Sequence, residues 1–178
     1  MALTLLRHAP LHPQYHKRYN GWTNLPIDPT LFKKEKVALL QRQHFDMVYS
    51  SDLQRCTQTL EQMGIKTYIT DVRLREVRFK APIEGKNFEE ITHLPSYHPS
   101  LLEDSQIWHT YLCAESQERF EARLLSFLKT LPPHKEILLC SHGGTLQTIF
   151  SLLVPFQAPQ IAYLDFIRIE HYGIQSMV

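Results

Sequence analysis

Several things are missing from this 178-residue chain, and each absence removes a class of function. Net charge is close to nil: 19 Lys and Arg stand against 18 Asp and Glu, a formal +1. So even a balance gives no broad field to attract nucleic acid or an anionic membrane surface, and neither is expected as a partner. No apolar run approaches the roughly 20 residues needed to span a bilayer. The opening "MALTLLR" is too short for a signal-peptide core and has no basic leader, so a cytoplasmic protein is expected. The three cysteines, Cys56, Cys113 and Cys140, are scattered and odd in number, with no CxxC. That argues against a disulfide framework and for reduced thiols. There is no internal repeat, no low-complexity tract and no linker. At this length one domain with a sizeable core is expected, spanning 1–178.

What is present is an alternation of short apolar runs with amphipathic segments. Residues 2–7 read as a buried strand, "FDMVYSS" as a second and "KTYIT" as a third. "KEILLCSHGG" is a fourth, and "IAYLDFIRIE" with "GIQSMV" reads as a terminal strand pair. Between them lie helical patterns at "LFKKEKVALLQRQ", "SDLQRCTQTLEQMG", 116–131 and "TLQTIFSLL". Ser51 and Gln54 have the spacing of a capping box, and Leu53, Cys56, Leu60 and Met63 share a face. Phe120, Leu124, Phe127, Leu128 and Leu131 form a second buried stripe, and Leu146, Ile149, Phe150 and Leu153 a third. Two stretches have no period: the proline-rich 9–30 and the region from 77 to about 115. Irregular segments of that length in compact domains are commonly functional. The second is expected to be a lid or insertion with short helices. The alternation predicts an α/β protein, a three-layer α/β/α sandwich around a mostly parallel sheet.

The chemistry follows from that prediction. Ligands of such sheets bind outside the carboxyl ends of the strands. "LTLLRH" and "ILLCSH" both end there in a histidine, which puts His8 and His142 on one edge although 134 positions separate them. Arg7 precedes His8. Arg55 falls in the first turn of a helix starting at the same edge, where free N–H groups already favour an anion. Two arginines and two histidines make a pocket for a tetrahedral dianion. The cations disfavour an imidazolium, so a histidine among them stays neutral and nucleophilic. Glu76 in "LREVRF", just after a strand and before the irregular lid segment, supplies an acid for the leaving alkoxide, with Glu84, Glu89 and Glu90 as alternatives. His12 and His16 are four apart, but they flank a proline in a loop with no carboxylate between them. No metal and no cofactor is expected.

"LLRHAP", "YNGWTNLPID", "YSSDLQRCTQT", "LREVRF…EG" and "LLCSHGG" resemble, in order and spacing, the histidine phosphatase superfamily, in its phosphoglycerate mutase-like branch. The resemblance implies a phosphorylated nucleophile at His8, phosphate-pocket partners at Arg7, Arg55 and His142, and a proton donor at Glu76. Substrate contacts are expected at Gln14, Arg18, Asn20, Gly21, Trp22, Thr23 and Gly143, with Trp22 as a wall of the pocket. The chain departs from the pattern at Ala9 and Pro10, at Gln14 where an asparagine is usual, and at Lys80. Mutases of this family are longer, with a segment that keeps water from the phosphohistidine, and water decides between transfer and hydrolysis. The expected activity is therefore a metal-independent phosphomonoester hydrolase acting on a small phosphorylated metabolite, with α-ribazole phosphate as one candidate. The alternatives are a mutase-type phosphotransferase and a catalytically weak phospholigand-binding protein. Phosphorylated substrate or inorganic phosphate is the expected partner, to a monomer or homodimer.

Overall fold

A computed structural model of the chain describes residues 2–170. Five strands form one sheet: β1 (Ala2–Arg7), β2 (Met47–Ser50), β3 (Ile69–Thr70), β4 (Glu136–Ser141) and β5 (Phe166–Glu170), in the order β3-β2-β4-β1-β5. All neighbours run parallel except β5, which is antiparallel to β1. β1 and β4 are mostly apolar, with only Thr4 polar inside β1, because both of their faces are covered, as parallel strands require.

Side-chain alternation sorts the core into two layers. Leu3, Leu5, Ile137 and Leu139 pack against α5 (Gln117–Leu128) and α6 (Gly143–Leu153). Leu6, Leu138 and Cys140 face α1 (Lys34–Gln41) and α2 (Gln54–Gln62). This is the expected three-layer α/β arrangement. The stripe on α5 is buried at Phe120, Leu124, Phe127 and Leu128, while Phe150 and Leu153 of α6 are only partly covered. Gly64 ends the α2 turn at φ +79, a conformation that costs a residue with a Cβ.

Residues 77–115 contain α3 (Phe88–Thr92), α4 (Ser105–Leu112) and a single 3-10 turn, Pro99–Leu102. They have their own small core, built on Ile83, Ile91, Leu112 and Cys113 with Phe79, Trp108 and Tyr111 against it.

Three local expectations differ from the structure. Ser51 and Gln54 form no capping box: α2 begins at Gln54, and the Gln54 N–H donates to Asn24 Oδ1 at 2.8 Å. Glu76 follows not a strand but a 3-10 turn, Val72–Leu74, because β3 pairs over only two residues at the sheet edge. "IAYLD" is not a strand either. Leu164 there is buried at φ +63, its N–H bonds the Arg7 carbonyl at 3.2 Å, and only Phe166–Glu170 pairs with β1. The expected last strand, "GIQSMV", lies outside the described residues.

Candidate active site

The register of the sheet brings the two histidines together. β1 and β4 pair with Arg7 opposite Ser141, so the next residues, His8 and His142, emerge side by side. Their ring centroids are 5.3 Å apart. Arg55 enters from the first turn of α2, and Glu76 from the segment after the 3-10 turn. A small cavity of about 130 Å³ is lined by Arg7, His8, Arg55, Glu76 and His142, with Arg18, Asn20, Gly21, Gly143, Leu11, Phe79 and Tyr163 completing its wall. That space has room for a phosphoryl group on its floor and opens to solvent at its mouth.

Hydrogen bonds fix the state of each ring. His8 Nδ1 lies 2.7 Å from the Ala9 carbonyl, which can only accept, so Nδ1 carries the proton and Nε2 keeps its lone pair. The His8 pKa is held well below the ordinary 6.5, first by burial and then by Arg55 and Arg7, against a smaller opposing pull from the Ala9 carbonyl. The Ala9 peptide is itself clamped. Its N–H donates to Thr59 Oγ1 at 2.8 Å, and Thr59 Oγ1 donates to the Arg55 carbonyl at 2.6 Å. One buried chain thus ties the first histidine to the helix that carries Arg55.

His142 is 1% exposed and its nitrogens are taken by protein groups. Arg55 Nε donates to Nδ1 at 3.0 Å, which leaves Nε2–H to donate to Ser51 Oγ at 2.9 Å. The Cys56 Sγ lies 3.7 Å from Nε2. Burial, followed by Arg55, His8, Arg7 and Arg123, lowers the His142 pKa well below 6.5. Arg55 also gives Nη1 to the Thr23 carbonyl at 2.8 Å and Nη2 to the Gly21 carbonyl at 2.7 Å. Arg7 is held more lightly. Nη1 donates to the Ile161 carbonyl at 2.8 Å, and the guanidinium lies 4.1 Å over the Tyr163 ring. Its buried Nε has no partner among the described residues. A buried donor without an acceptor is costly, and an anion in the cavity would satisfy it.

Glu76 faces the start of α6. Its carboxylate accepts from Gly144 N at 3.0 Å, Thr145 N at 3.1 Å, Val77 N at 3.0 Å and Thr145 Oγ1 at 3.2 Å. A Cβ on Gly144 would sit 2.7 Å from Glu76 Oε1, and one on Gly143 would sit 3.2 Å from the Arg7 guanidinium carbon. A side chain at either glycine of "HGG" would push the Glu76 carboxylate or the Arg7 guanidinium back from the helix start. The Glu76 carbonyl is gripped from two sides, by Trp22 Nε1 at 2.7 Å and Arg123 Nη2 at 2.9 Å.

The cavity gathers Arg7, His8, Arg55, Glu76, His142, Arg18, Asn20, Gly21 and Gly143, all named from sequence. Three others do not line it. The Gln14 side chain is exposed in a neighbouring hollow with Tyr15 and Leu25, because Pro13 starts a one-turn 3-10 helix there. Trp22 turns its N–H to Glu76 and its ring to Arg75 and Arg78, and Thr23 spends its N–H and hydroxyl on Glu84. Glu84 and Glu90 stand outside the lining. His16 Nε2 is 2.6 Å from the Leu11 carbonyl and His12 caps the Pro13 turn. Sequence reasoning missed Tyr163, Leu11 and Phe79. The strand-like pattern of "IAYLD" hid Tyr163, whereas Leu11 and Phe79 each lie within three residues of a predicted catalytic side chain.

Known proteins resemble the chain along most of its length. Residues 3–171 match the family described as histidine phosphatase superfamily (branch 1). A protein of Hydrogenobacter thermophilus that bears the name putative phosphoserine phosphatase 2 is 29% identical over 162 residues, 85% of this chain and 77% of its own. A 2,3-bisphosphoglycerate-dependent phosphoglycerate mutase of Pseudoalteromonas atlantica is 22% identical over 207 residues, covering 90% of this chain and 87% of the mutase. The crystal structure of TTHB049 from Thermus thermophilus superposes with a TM-score of 0.72 at 25% identity, over 96% of this chain and 94% of that one.

Proposed function

This chain belongs to the histidine phosphatase superfamily, and on that premise we propose that it hydrolyses phosphomonoesters of small metabolites through a phosphohistidine at His8. The reading is carried by one observation. His8 Nδ1 is committed to the Ala9 carbonyl, so a neutral ring directs a free Nε2 lone pair, in a cavity with room for a phosphoryl group between two guanidinium groups. Nε2 forms the bond to phosphorus as the ester P–O bond breaks. Arg7, with donors uncommitted, and the spare N–H groups of Arg55 take the charge on the equatorial oxygens. His142, engaged by Arg55 and Ser51, orients the Arg55 fork. Glu76 passes a proton to the departing alkoxide, and the carboxylate that remains is met by three backbone N–H groups. The same carboxylate then takes a proton from the water that attacks the phosphohistidine. The positive charge this chemistry needs is supplied by arginine, so the reading requires no metal.

The test is release of phosphate from 4-nitrophenyl phosphate with chelator present. Wild type turns over, and acid-labile phosphate is trapped on the protein when the reaction is quenched in base. His8→Ala loses about 10⁴-fold in kcat/KM and traps nothing. Turnover retained in His8→Ala would overturn the reading. Phosphate exchanged between substrates without release would favour the mutase instead. Phosphoserine, 3-phosphoglycerate and α-ribazole phosphate belong in the substrate panel.

A further inference from the structure

The outer wall of the cavity carries information about the leaving group. Among the described residues, Arg7, Arg18 and Arg55 are the Lys and Arg side chains that line the space. Arg7 and Arg55 sit with His8 at the phosphoryl end. That leaves Arg18 as the cation for any second anionic group on a substrate, and Arg18 is already occupied. Nη1 donates to Glu90 Oε2 at 2.7 Å and Nη2 to Glu90 Oε1 at 3.2 Å, a fork on a carboxylate. Nε is given to the Gln14 carbonyl at 2.8 Å and Nη1 also to the Gly85 carbonyl at 2.9 Å.

Glu90 is not a casual partner. It is the third residue of α3, and its Oε2 also accepts the Asn87 N–H at 2.9 Å in a complete capping box. The two chain segments are stitched together by backbone bonds, Tyr19 N–H to Lys86 O at 2.8 Å and Gly85 N–H to Tyr19 O at 2.9 Å. Releasing Arg18 would mean breaking the ion pair and its bonds to the Gln14 and Gly85 carbonyls, while the cap holds Glu90 in place. Glu84 adds a second carboxylate behind the wall: a Cβ on Gly21 would sit 2.5 Å from its Oε2. Lys86 lies close enough to act on Glu90 but does not line the cavity. The remaining lining is Leu11, Phe79 and Tyr163, with Asn20 and the backbone at Gly21 and Gly143. Among the described residues the mouth thus carries apolar and aromatic side chains and one amide, with carboxylates behind it and its cation neutralised by the exposed Glu90.

Resting on the phosphatase reading, we propose that the site selects phosphomonoesters whose leaving group carries no carboxylate, because Glu90 already occupies Arg18. Selection here is largely repulsive: a carboxylated leaving group faces Glu76 in the lining and the charge of Glu90 behind Arg18, and finds no free cation at the mouth. Uncharged alcohols lose nothing on entry and gain contact with Phe79 and Tyr163.

The experiment compares glycerol 3-phosphate with 3-phosphoglycerate, which differ at the far end as a hydroxymethyl against a carboxylate. Wild type is expected to favour the former by about tenfold or more in kcat/KM. Glu90→Gln is expected to narrow that ratio about tenfold, chiefly through a lower KM for 3-phosphoglycerate, with an effect that fades as salt is added. Glu90→Asp, which keeps the charge, is expected to retain the preference. A wild-type protein that uses 3-phosphoglycerate as well as glycerol 3-phosphate overturns the inference, as does a Glu90→Gln ratio equal to that of wild type. 4-Nitrophenyl phosphate separates the two levels. If it is left intact, the phosphatase reading fails and this inference falls with it. If it is hydrolysed but the carboxylated ester is preferred, this inference alone fails.

Discussion

The two ends of one small cavity hold arginine in opposite ways. At the sheet edge Arg55 is 2% exposed and gives three N–H groups to His142, Gly21 and Thr23, each a neutral acceptor. At the rim the Arg18 side chain is 27% exposed and its charge is spent on Glu90, itself 44% exposed. Neutral acceptors leave the charge of Arg55 available to a ligand while fixing its direction. A carboxylate acceptor cancels the charge of Arg18 and leaves it as a wall. The lesson is that identity and proximity do not tell what a cation does in a pocket; what already accepts from it does.

The sharpest way to break this comparison is to make the same substitution at both ends. Arg55→Lys replaces a planar fork by a point charge, so the Gly21 and Thr23 carbonyls and His142 Nδ1 cannot all be satisfied. Buried polar groups left unpaired cost about 1–3 kcal/mol each, and the charge moves relative to the phosphoryl oxygens. The expected loss in kcat/KM for 4-nitrophenyl phosphate is about 10³-fold. Arg18→Lys is expected to cost less than about fivefold on the same substrate. Equal losses would mean that the two arginines act as one unit, and the distinction drawn here would be wrong.

How readable each end was from sequence follows the same division. His8 and His142 were placed on one edge because two apolar strands end in histidine and parallel sheets bind at that end; the Arg7–Ser141 register makes the two neighbours. That inference needs only strand direction. What serves each side chain needs the tertiary structure. Ser51 looked like a helix cap because S-x-x-Q is a local pattern, yet its hydroxyl belongs to a ring 91 residues away. Glu76 was named as an acid, but nothing local announces that α6 supplies the amides its carboxylate accepts from. Trp22 read as a wall and is instead a clamp on the Glu76 peptide. Tyr163 was hidden in an alternating apolar pattern that the left-handed turn at Leu164 interrupts, and that turn is held by the backbone of Arg7. The rim was the least readable part, since Arg18 and Glu90 are 72 positions apart and neither stands on a strand.

A second, smaller effect sharpens the comparison from the buried side. His8 and His142 have pKa values well below 6.5, for burial first and Arg55 second, so both are neutral in the native protein where the unfolded chain would protonate them. The unfolded state then binds more protons as pH falls through about 6.5, and stability falls with it. Above that pH their contribution is fully present. Below it, each depressed histidine contributes a slope approaching about 1.4 kcal/mol per pH unit, roughly 2.7 for the pair. Denaturant unfolding at pH 7, 6 and 5 measures the slope, and His142→Asn is expected to remove about half of it. A slope unaffected by that change would mean the second ring is not kept neutral by the fold.

The smallest effect belongs to the rim, and it tests whether the rim can be loosened without touching the chemistry. Asn87 caps α3 by accepting the Glu90 N–H at 2.8 Å, while its own N–H holds the Glu90 carboxylate. Asn87→Ala removes the side-chain half of that box. α3 is five residues long, too short to persist on propensity, so it depends on its N-terminal cap and on Ile91 in the small core. Amide exchange at residues 88–92 is expected to quicken roughly fivefold, while 4-nitrophenyl phosphate turnover stays within about twofold. The preference against 3-phosphoglycerate should weaken slightly, and less than in Glu90→Gln, because the Glu90 carboxylate keeps its charge and the residue-87 N–H while the helix turn beneath it loosens. A large fall in turnover would show that α3 reaches Glu76 or Arg55 through Arg18 and Tyr19. The sheet-edge pocket and its rim would then be a single mechanical piece, rather than a rigid catalytic floor with a separately adjustable wall.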